Sequence, residues 1–273
     1  MRAIAIINQK GGVGKTTTAV NVSAALAEAG QRVCLVDLDP QAHASLHFGV
    51  EPQVDGPSIY DVLVRDMPLA QVRRQVDGHL SLVASHLDLA AAEVELAGVV
   101  GREMILRDKL AEDPEDFDYL LIDCPPSLGI LTINALTAVE EVLIPLQPHF
   151  LALHGLSKLL ETIELVHRRL NSRLRLGGVV LCMYDSATRL ASEVSDDVDD
   201  FFRQARTRST PWSGAHMFQT RIRRNIRLAE APSFGQSIFQ YAPGSNGAED
   251  YRQLAQEVLA TYHAAGAVSH AAG

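Results

Sequence analysis

The stretch Lys10-Gly11-Gly12-Val13-Gly14-Lys15-Thr16-Thr17 constrains this chain more than any other. An apolar run, Ala3-Ile4-Ala5-Ile6-Ile7, precedes it and reads as a buried strand. Thr18 to Ala27 follows it and reads as a helix. Strand, glycine loop and helix in that order are the setting of a phosphate-binding P-loop. Glycines let backbone N–H groups turn inward around phosphate oxygens, and the helix N-terminus adds partial positive charge. In such a loop Gly11, Gly12, Val13, Gly14, Lys15, Thr16 and Thr17 cradle the nucleotide. Lys15 reaches the β- and γ-phosphates, and the Thr16 hydroxyl binds Mg²⁺. A second lysine, Lys10, opens the loop, and a standard P-loop does not need it.

Strands and helices alternate along the rest of the chain. Strands are expected at 32–37, 80–84, 119–123, 141–145 and 178–183. Helices are expected around 17–29, 87–97, 102–111, 130–139, 155–170, 190–204 and 247–264. This rhythm predicts an α/β fold with a doubly wound, mostly parallel sheet flanked by helices. The 273 residues suit one large domain, taken as 1–264, with 265–273 as a fraying tail. The segment 205–216 reads as a loop, because Pro211 and Gly214 interrupt it.

Composition narrows the class further. Apolar residues make up 47% and aromatic residues only 5%, an aliphatic balance that suits parallel strands covered on both faces. Cys34, Cys124 and Cys182 are odd in number and widely spaced, which argues against a disulfide framework or a zinc site. Buried thiols in a reducing compartment are the expectation. Lysines at 10 and 15 occupy the place of a signal peptide's apolar region, and no run of about 18 apolar residues exists.

Two strands end in carboxylates. The first gives Asp37-Leu38-Asp39-Pro40-Gln41, and the second gives Asp123-Cys124-Pro125-Pro126-Ser127. Parallel strands that finish at the same sheet edge as the P-loop bring such groups to the phosphates. Asp123 follows four apolar residues in the Walker B manner and would hold Mg²⁺, through a water. Lone aspartates at strand ends more often cap turns. For Asp37 that reading and a supporting role behind Asp39 both stay open.

The run Asn8-Gln9-Lys10-Gly11-Gly12-Val13-Gly14-Lys15-Thr16-Thr17 resembles the deviant Walker A box of the ParA/MinD ATPases. The resemblance implies ATP or ADP with Mg²⁺, and a homodimer in which Lys10 reaches the partner's nucleotide. Lys10, Lys15 and Asp39 are then the catalytic set. Asp39 lies in an Asp-x-Asp-Pro-Gln box similar to the family's switch I, where the matching aspartate orients the attacking water. Ser127 to Leu136 resembles switch II. Ile222 to Gly235 and Tyr241 to Tyr251 are similar to segments of the Soj-like ParA branch, so the likeness spans about 1–262. Arg223 replaces a usual proline near the nucleotide base. The usual Arg-Thr-Asn-Leu is here Ala187-Thr188-Arg189-Leu190, and loop 205–216 is longer than typical.

The net charge of −9 argues against simple polybasic binding of nucleic acid, but its distribution is uneven. Between Arg203 and Arg227 lie seven arginines and no acid, directly after Glu193, Asp196, Asp197, Asp199 and Asp200. Such a run suits phosphate contacts without base readout, or a solvated face paired with the acids beside it. The resemblance favours nonspecific DNA, with Arg224, Arg227 and Arg189 as candidates. It further implies slow ATP hydrolysis stimulated by a ParB-like partner, DNA segregation, and a cytoplasmic, nucleoid-associated place. A membrane partner is not expected: residues 259–270 lack the basic amphipathic helix of MinD-like members. The alternative is a ParA-like positioning ATPase for a protein compartment or chemosensory array. A nitrogenase-reductase-like enzyme would need cluster cysteines at the dimer face, and Cys124 is in the wrong place for one.

Overall fold

Apolar runs without alternating polar residues can be buried on both faces only if helices cover both, and that is the arrangement found. The computed structural model describes residues 1–51 and 56–271, with side chains of the last helix as far as Thr261. Eight strands form one sheet. They are β1 (Arg2–Ile6), β2 (Val33–Asp37), β3 (Arg73–Asp77), β4 (Leu80–Val83), β5 (Tyr119–Asp123), β6 (Glu141–Leu146), β7 (Arg175–Tyr184) and β8 (His216–Arg223). Their order is β3-β4-β2-β5-β1-β6-β7-β8, and every neighbouring pair is parallel except β3 with β4. Five longer helices matter for the site: α1 (Lys15–Glu28), α2 (Ile130–Ala138), α3 (Ala152–Arg169), α4 (Arg189–Ala205) and α5 (Asn246–Ala271).

Successive strand residues serve opposite layers. Ala3, Ala5, Cys34, Val36, Leu120 and Ile122 pack into one core, with α2, α3 and α4. Ile4, Ile6, Val33, Leu35, Tyr119 and Leu121 pack into the other, with α1 and α5. All three cysteines are buried free thiols. Burial pushes Cys124 well above the ordinary thiol range, so it is a poor nucleophile.

Two strands were not expected from the sequence, β3 and β8. Both lie at sheet edges and carry charged or polar residues, so neither presents an apolar run. The β8 edge is covered from α5: Glu257 accepts hydrogen bonds from the backbone N–H groups of Gln219 at 2.8 Å and Thr220 at 2.7 Å. The helix expected at 87–97 is a 3₁₀ turn, Leu87–Ala91, followed by the short helix Ala92–Glu95. The last helix continues to Ala271, past the boundary at 264, and residues 272–273 lie outside the described set. Among the described residues no helix is long and apolar enough to cross a membrane.

His47, in the short helix His43–His47, is 2% exposed, and its Nε2 finds no partner among the described residues. Burial pushes its pKa down from 6.5 to about 4. The unfolded chain therefore takes up a proton near pH 6.5 that the folded chain refuses until about pH 4. The stability this group withdraws grows across that window to about 3 kcal/mol and is zero above it. Asp37 and Asp123 act in the opposite sense, because their raised values let the folded state take protons more readily as pH falls. The difference between wild type and His47→Leu isolates the histidine. Urea melts from pH 7 to pH 4 should show the variant losing less stability than wild type. Parallel curves would remove this account.

Candidate functional site

The P-loop leaves β1 and enters α1 through two left-handed residues, Gly12 at φ 72° and Gly14 at φ 94°. A side chain at either would be strained. Gly14 caps α1 without any side-chain hydrogen bond, so the first N–H groups of that helix remain for an anion. Asn8 shapes the near side of the loop. Its Nδ2 donates to the Pro145 carbonyl at 2.7 Å, and its Oδ1 accepts from the Lys10 N–H at 3.0 Å.

The two lysines have opposite fates. Lys15 is buried at 7% exposure, and its Nζ donates to the Lys10 carbonyl at 3.2 Å. Desolvation lowers its pKa, while the charges of Asp123 and Asp39 hold it up. Lys10 is exposed, and its ammonium has no hydrogen bond or ion pair among the described residues.

Sheet register brings the carboxylates to this loop. Asp123 pairs with Ile6 of β1 on one side and with Asp37 of β2 on the other. Asp123 is fully buried, and neither carboxylate oxygen meets the geometry of a hydrogen bond. Burial first, then the neighbouring Asp37, push its pKa well above the usual range, while the Thr16 hydroxyl and Lys15 pull it back. A buried carboxylate that has a threonine hydroxyl close by, and no partner of good hydrogen-bond geometry among the described residues, fits a hydrated Mg²⁺ shared with phosphates. No cluster of three or more His, Cys, Asp or Glu able to hold a metal occurs among the described residues. The ion would therefore rely on phosphate oxygens and water as well as on Thr16 and Asp123.

Asp37 is an anchor. Its Oδ2 accepts from the Ser45 N–H at 2.8 Å and the Ser45 hydroxyl at 2.7 Å, and its Oδ1 accepts from the Asp39 N–H at 3.2 Å. These bonds fix the turn that carries Asp39. Asp39 is 8% exposed; its Oδ1 accepts from the Gln41 N–H at 3.0 Å, and its carbonyl accepts from the Ser85 hydroxyl at 2.7 Å. The sequence reading missed Ser45 and Ser85. Nothing local marks them, because their partners come from the fold.

A cleft of about 410 Å³ adjoins the loop, lined by Gly14, Thr17, Met183, Ile222, Asn225 and Tyr251 among others. It opens beside Gly14 and Thr17, at the start of α1. Arg223 lines it too, held by Asp250 at 2.6 Å and Glu249 at 3.0 Å. Thus the arginine that stands in place of the expected proline is tied back by α5. Met183 reaches its place with φ 51°, in the left-handed region.

The sequence family described as an AAA domain matches residues 1–176. The sporulation initiation inhibitor protein Soj of Bacillus subtilis is 45% identical over 260 residues, 95% of this chain and 98% of Soj. The chain belongs to the ParA/Soj family of partition ATPases. The chromosome-partitioning ATPase Soj of Thermus thermophilus is 47% identical, covering 95% of this chain and 96% of the relative. A solved structure described as cobyrinic acid a,c-diamide synthase from Mycobacterium smegmatis, with an ATP analogue and magnesium bound, is 36% identical. It has a TM-score of 0.81 and covers 96% of each chain.

The arginine run does not form one surface. β8 is eight residues long, so its ends are about 25 Å apart. Arg203, Arg206 and Arg208 lie before its start; Arg223, Arg224 and Arg227 lie at or after its end. Arg221 bonds the Tyr184 hydroxyl at 2.8 Å and the Ser195 hydroxyl at 3.0 Å, which leaves it structural. Arg224, Arg227 and Arg189 do share the carboxyl end of the β7–β8 edge. The Arg224 N–H donates to the Tyr184 carbonyl at 3.4 Å, and Arg189 opens α4 just beyond. Arg227 pairs with Glu230 at 2.9 Å and Arg189 with Glu193 at 2.8 Å, both exposed, while the Arg224 side chain is unpaired among the described residues. Exposed pairs of this kind are weak enough to exchange for phosphates.

Proposed function

We propose that this ATPase forms an ATP-dependent sandwich dimer, binds DNA without sequence preference and drives segregation of a chromosome or plasmid with a ParB-like partner. The observation that carries the reading is the pair of lysines on one glycine loop: Lys15 is folded inward, while Lys10 is exposed and unengaged. A cation held at the lip of a phosphate loop, with no acid to neutralise among the described residues, suits a phosphate brought by a second copy. Mg²⁺ bound by Thr16 and Asp123 would neutralise charge on the phosphates during transfer. Lys15 neutralises its own subunit's phosphates, and Asp39 orients the attacking water. Dimerisation doubles the basic surface of Arg189, Arg224 and Arg227, and linking two weak sites raises their joint affinity. The protein would then coat the nucleoid until a partner stimulates hydrolysis and releases it.

The expected result for Lys10→Ala is nucleotide binding near wild type with loss of the ATP-dependent dimer. Light scattering with a slowly hydrolysed ATP analogue measures this directly. A Lys10→Ala protein that dimerises normally would sink the sandwich arrangement. The reading as a positioning ATPase for a protein cargo shares the same P-loop; absence of ATP-dependent DNA binding by wild type at low salt would favour it.

A further inference from the structure

The helices α3 and α4 run against the strands, so they end at the sheet edge opposite the P-loop. The last turn of α3 contains His167, Arg168 and Arg169; Arg173 follows, and Arg175 opens β7. α4 ends at Ala205, and Arg206 and Arg208 come next. These segments meet. Glu141 of β6 is in register with Arg175 of β7, and Gly178 of β7 with His216 of β8. The loop 206–215 is pinned over the start of β7 by the Leu176 N–H donating to the Pro211 carbonyl at 2.9 Å. Neighbouring strands lie about 4.8 Å apart, so three strand starts gather the arginines of both helix ends.

Much of this positive charge is unspent. Arg173 pairs with Glu140 at 2.9 Å, Arg175 with Glu141 at 3.1 Å and Arg203 with Asp200 at 2.8 Å. Arg168, Arg169, Arg206 and Arg208 are exposed and have no ion pair or side-chain hydrogen bond among the described residues. A cleft of about 580 Å³ opens at the same edge, lined by Arg2, Glu141, His167, Arg173, Arg175 and Thr210 among others. The Thr210 hydroxyl is buried and has no partner among the described residues.

We propose that this amino-terminal sheet edge is a second docking surface for the phosphate backbone of duplex DNA, separate from that of Arg189, Arg224 and Arg227. The inference rests on the DNA-binding reading above and adds a place to it. Guanidinium forks match phosphate oxygens, and several unpaired ones on one edge give affinity without base readout. Along α4 the two surfaces are divided by Glu193, Asp196, Asp197, Asp199 and Asp200, all exposed, which repel a duplex laid across that helix. An anionic membrane is the poorer occupant. Within 165–176 and 203–216, Leu165 is the one large exposed apolar side chain, too little for an interfacial seat.

The test uses the full chain with a slowly hydrolysed ATP analogue and a random-sequence duplex. Affinity is measured at several salt concentrations for wild type, for Arg168→Glu/Arg169→Glu/Arg206→Glu/Arg208→Glu, and for Arg224→Glu/Arg227→Glu. The fourfold variant should bind the analogue like wild type and lose at least about tenfold in DNA affinity at low salt. Its slope of log affinity against log salt should fall by about 2 to 4, as counterion release demands. The same four positions changed to Gln should give a smaller loss in the same direction, which separates lost contacts from new repulsion and stands in if the Glu variant fails to fold. Unchanged affinity and slope in the fourfold variants, with the Arg224/Arg227 variant impaired, would overturn this surface and leave the DNA-binding reading intact. Wild type that binds no duplex even at low salt would overturn both. Unchanged DNA binding with loss of binding to phosphatidylglycerol vesicles would give the edge to a membrane instead.

Discussion

Lys15→Ala is expected to abolish ATP binding. The Lys15 ammonium is buried beside Asp123 and Asp39, whose charges act on it, and it is tied to the loop through the Lys10 carbonyl at 3.2 Å. Removing one member of a buried, hydrogen-bonded charge set costs about 2–5 kcal/mol, or roughly 30- to 5,000-fold in affinity. In the proposed arrangement the loss falls on binding itself, since the lysine would meet the β- and γ-phosphates before any bond is broken. Without the lysine, Asp123 and Asp37 also lie buried and adjacent with no cation between them and the phosphates. Titration calorimetry with ATP and Mg²⁺ measures the effect. Affinity within a few-fold of wild type would take Lys15 out of the phosphate site.

Asp39→Ala should do the reverse, keeping ATP and losing turnover. Asp39 is held by the turn that Asp37 anchors, and one of its oxygens is fixed by the Gln41 N–H at 3.0 Å. A carboxylate that orients water acts in the transition state, so its removal lowers kcat far more than it weakens binding. A loss of about 10²- to 10⁴-fold in hydrolysis per bound ATP is expected, the range for a positioned acid–base group. The variant should then accumulate as an ATP-bound dimer, visible by light scattering with ordinary ATP. Weakened ATP affinity with turnover per bound ATP unchanged would assign Asp39 to binding instead.

The parts of this protein that were legible from the chain alone share one property. Each is a contiguous segment whose chemistry is set by its own backbone. The glycine loop needs φ values of 72° and 94° at Gly12 and Gly14, and only glycine takes them freely. The strands β1, β2, β5, β6 and β7 are continuous apolar runs, because a parallel sheet is covered on both faces. Asp37, Asp39 and Asp123 follow from the rule that parallel strands end at one edge. The edge strands β3 and β8 were hidden, since a strand with one open side need not be apolar.

Tertiary structure alone decided the rest. It made Asp37 an anchor, because Ser45 returns to it from eight residues away, and it tied Arg223 to Asp250 across 27 residues. It also divided the arginine run. Seven arginines without an intervening acid look like one patch when the chain is written out. A strand of eight residues in their midst carries the chain from one edge of the sheet to the other. Arg206 and Arg208 thereby join Arg168 and Arg169 at the amino-terminal edge, while Arg224 and Arg227 join Arg189 at the carboxyl-terminal edge. Sequence fixes charge order along the chain, but surface potential depends on distance through space, and the direction of β8 sets that distance.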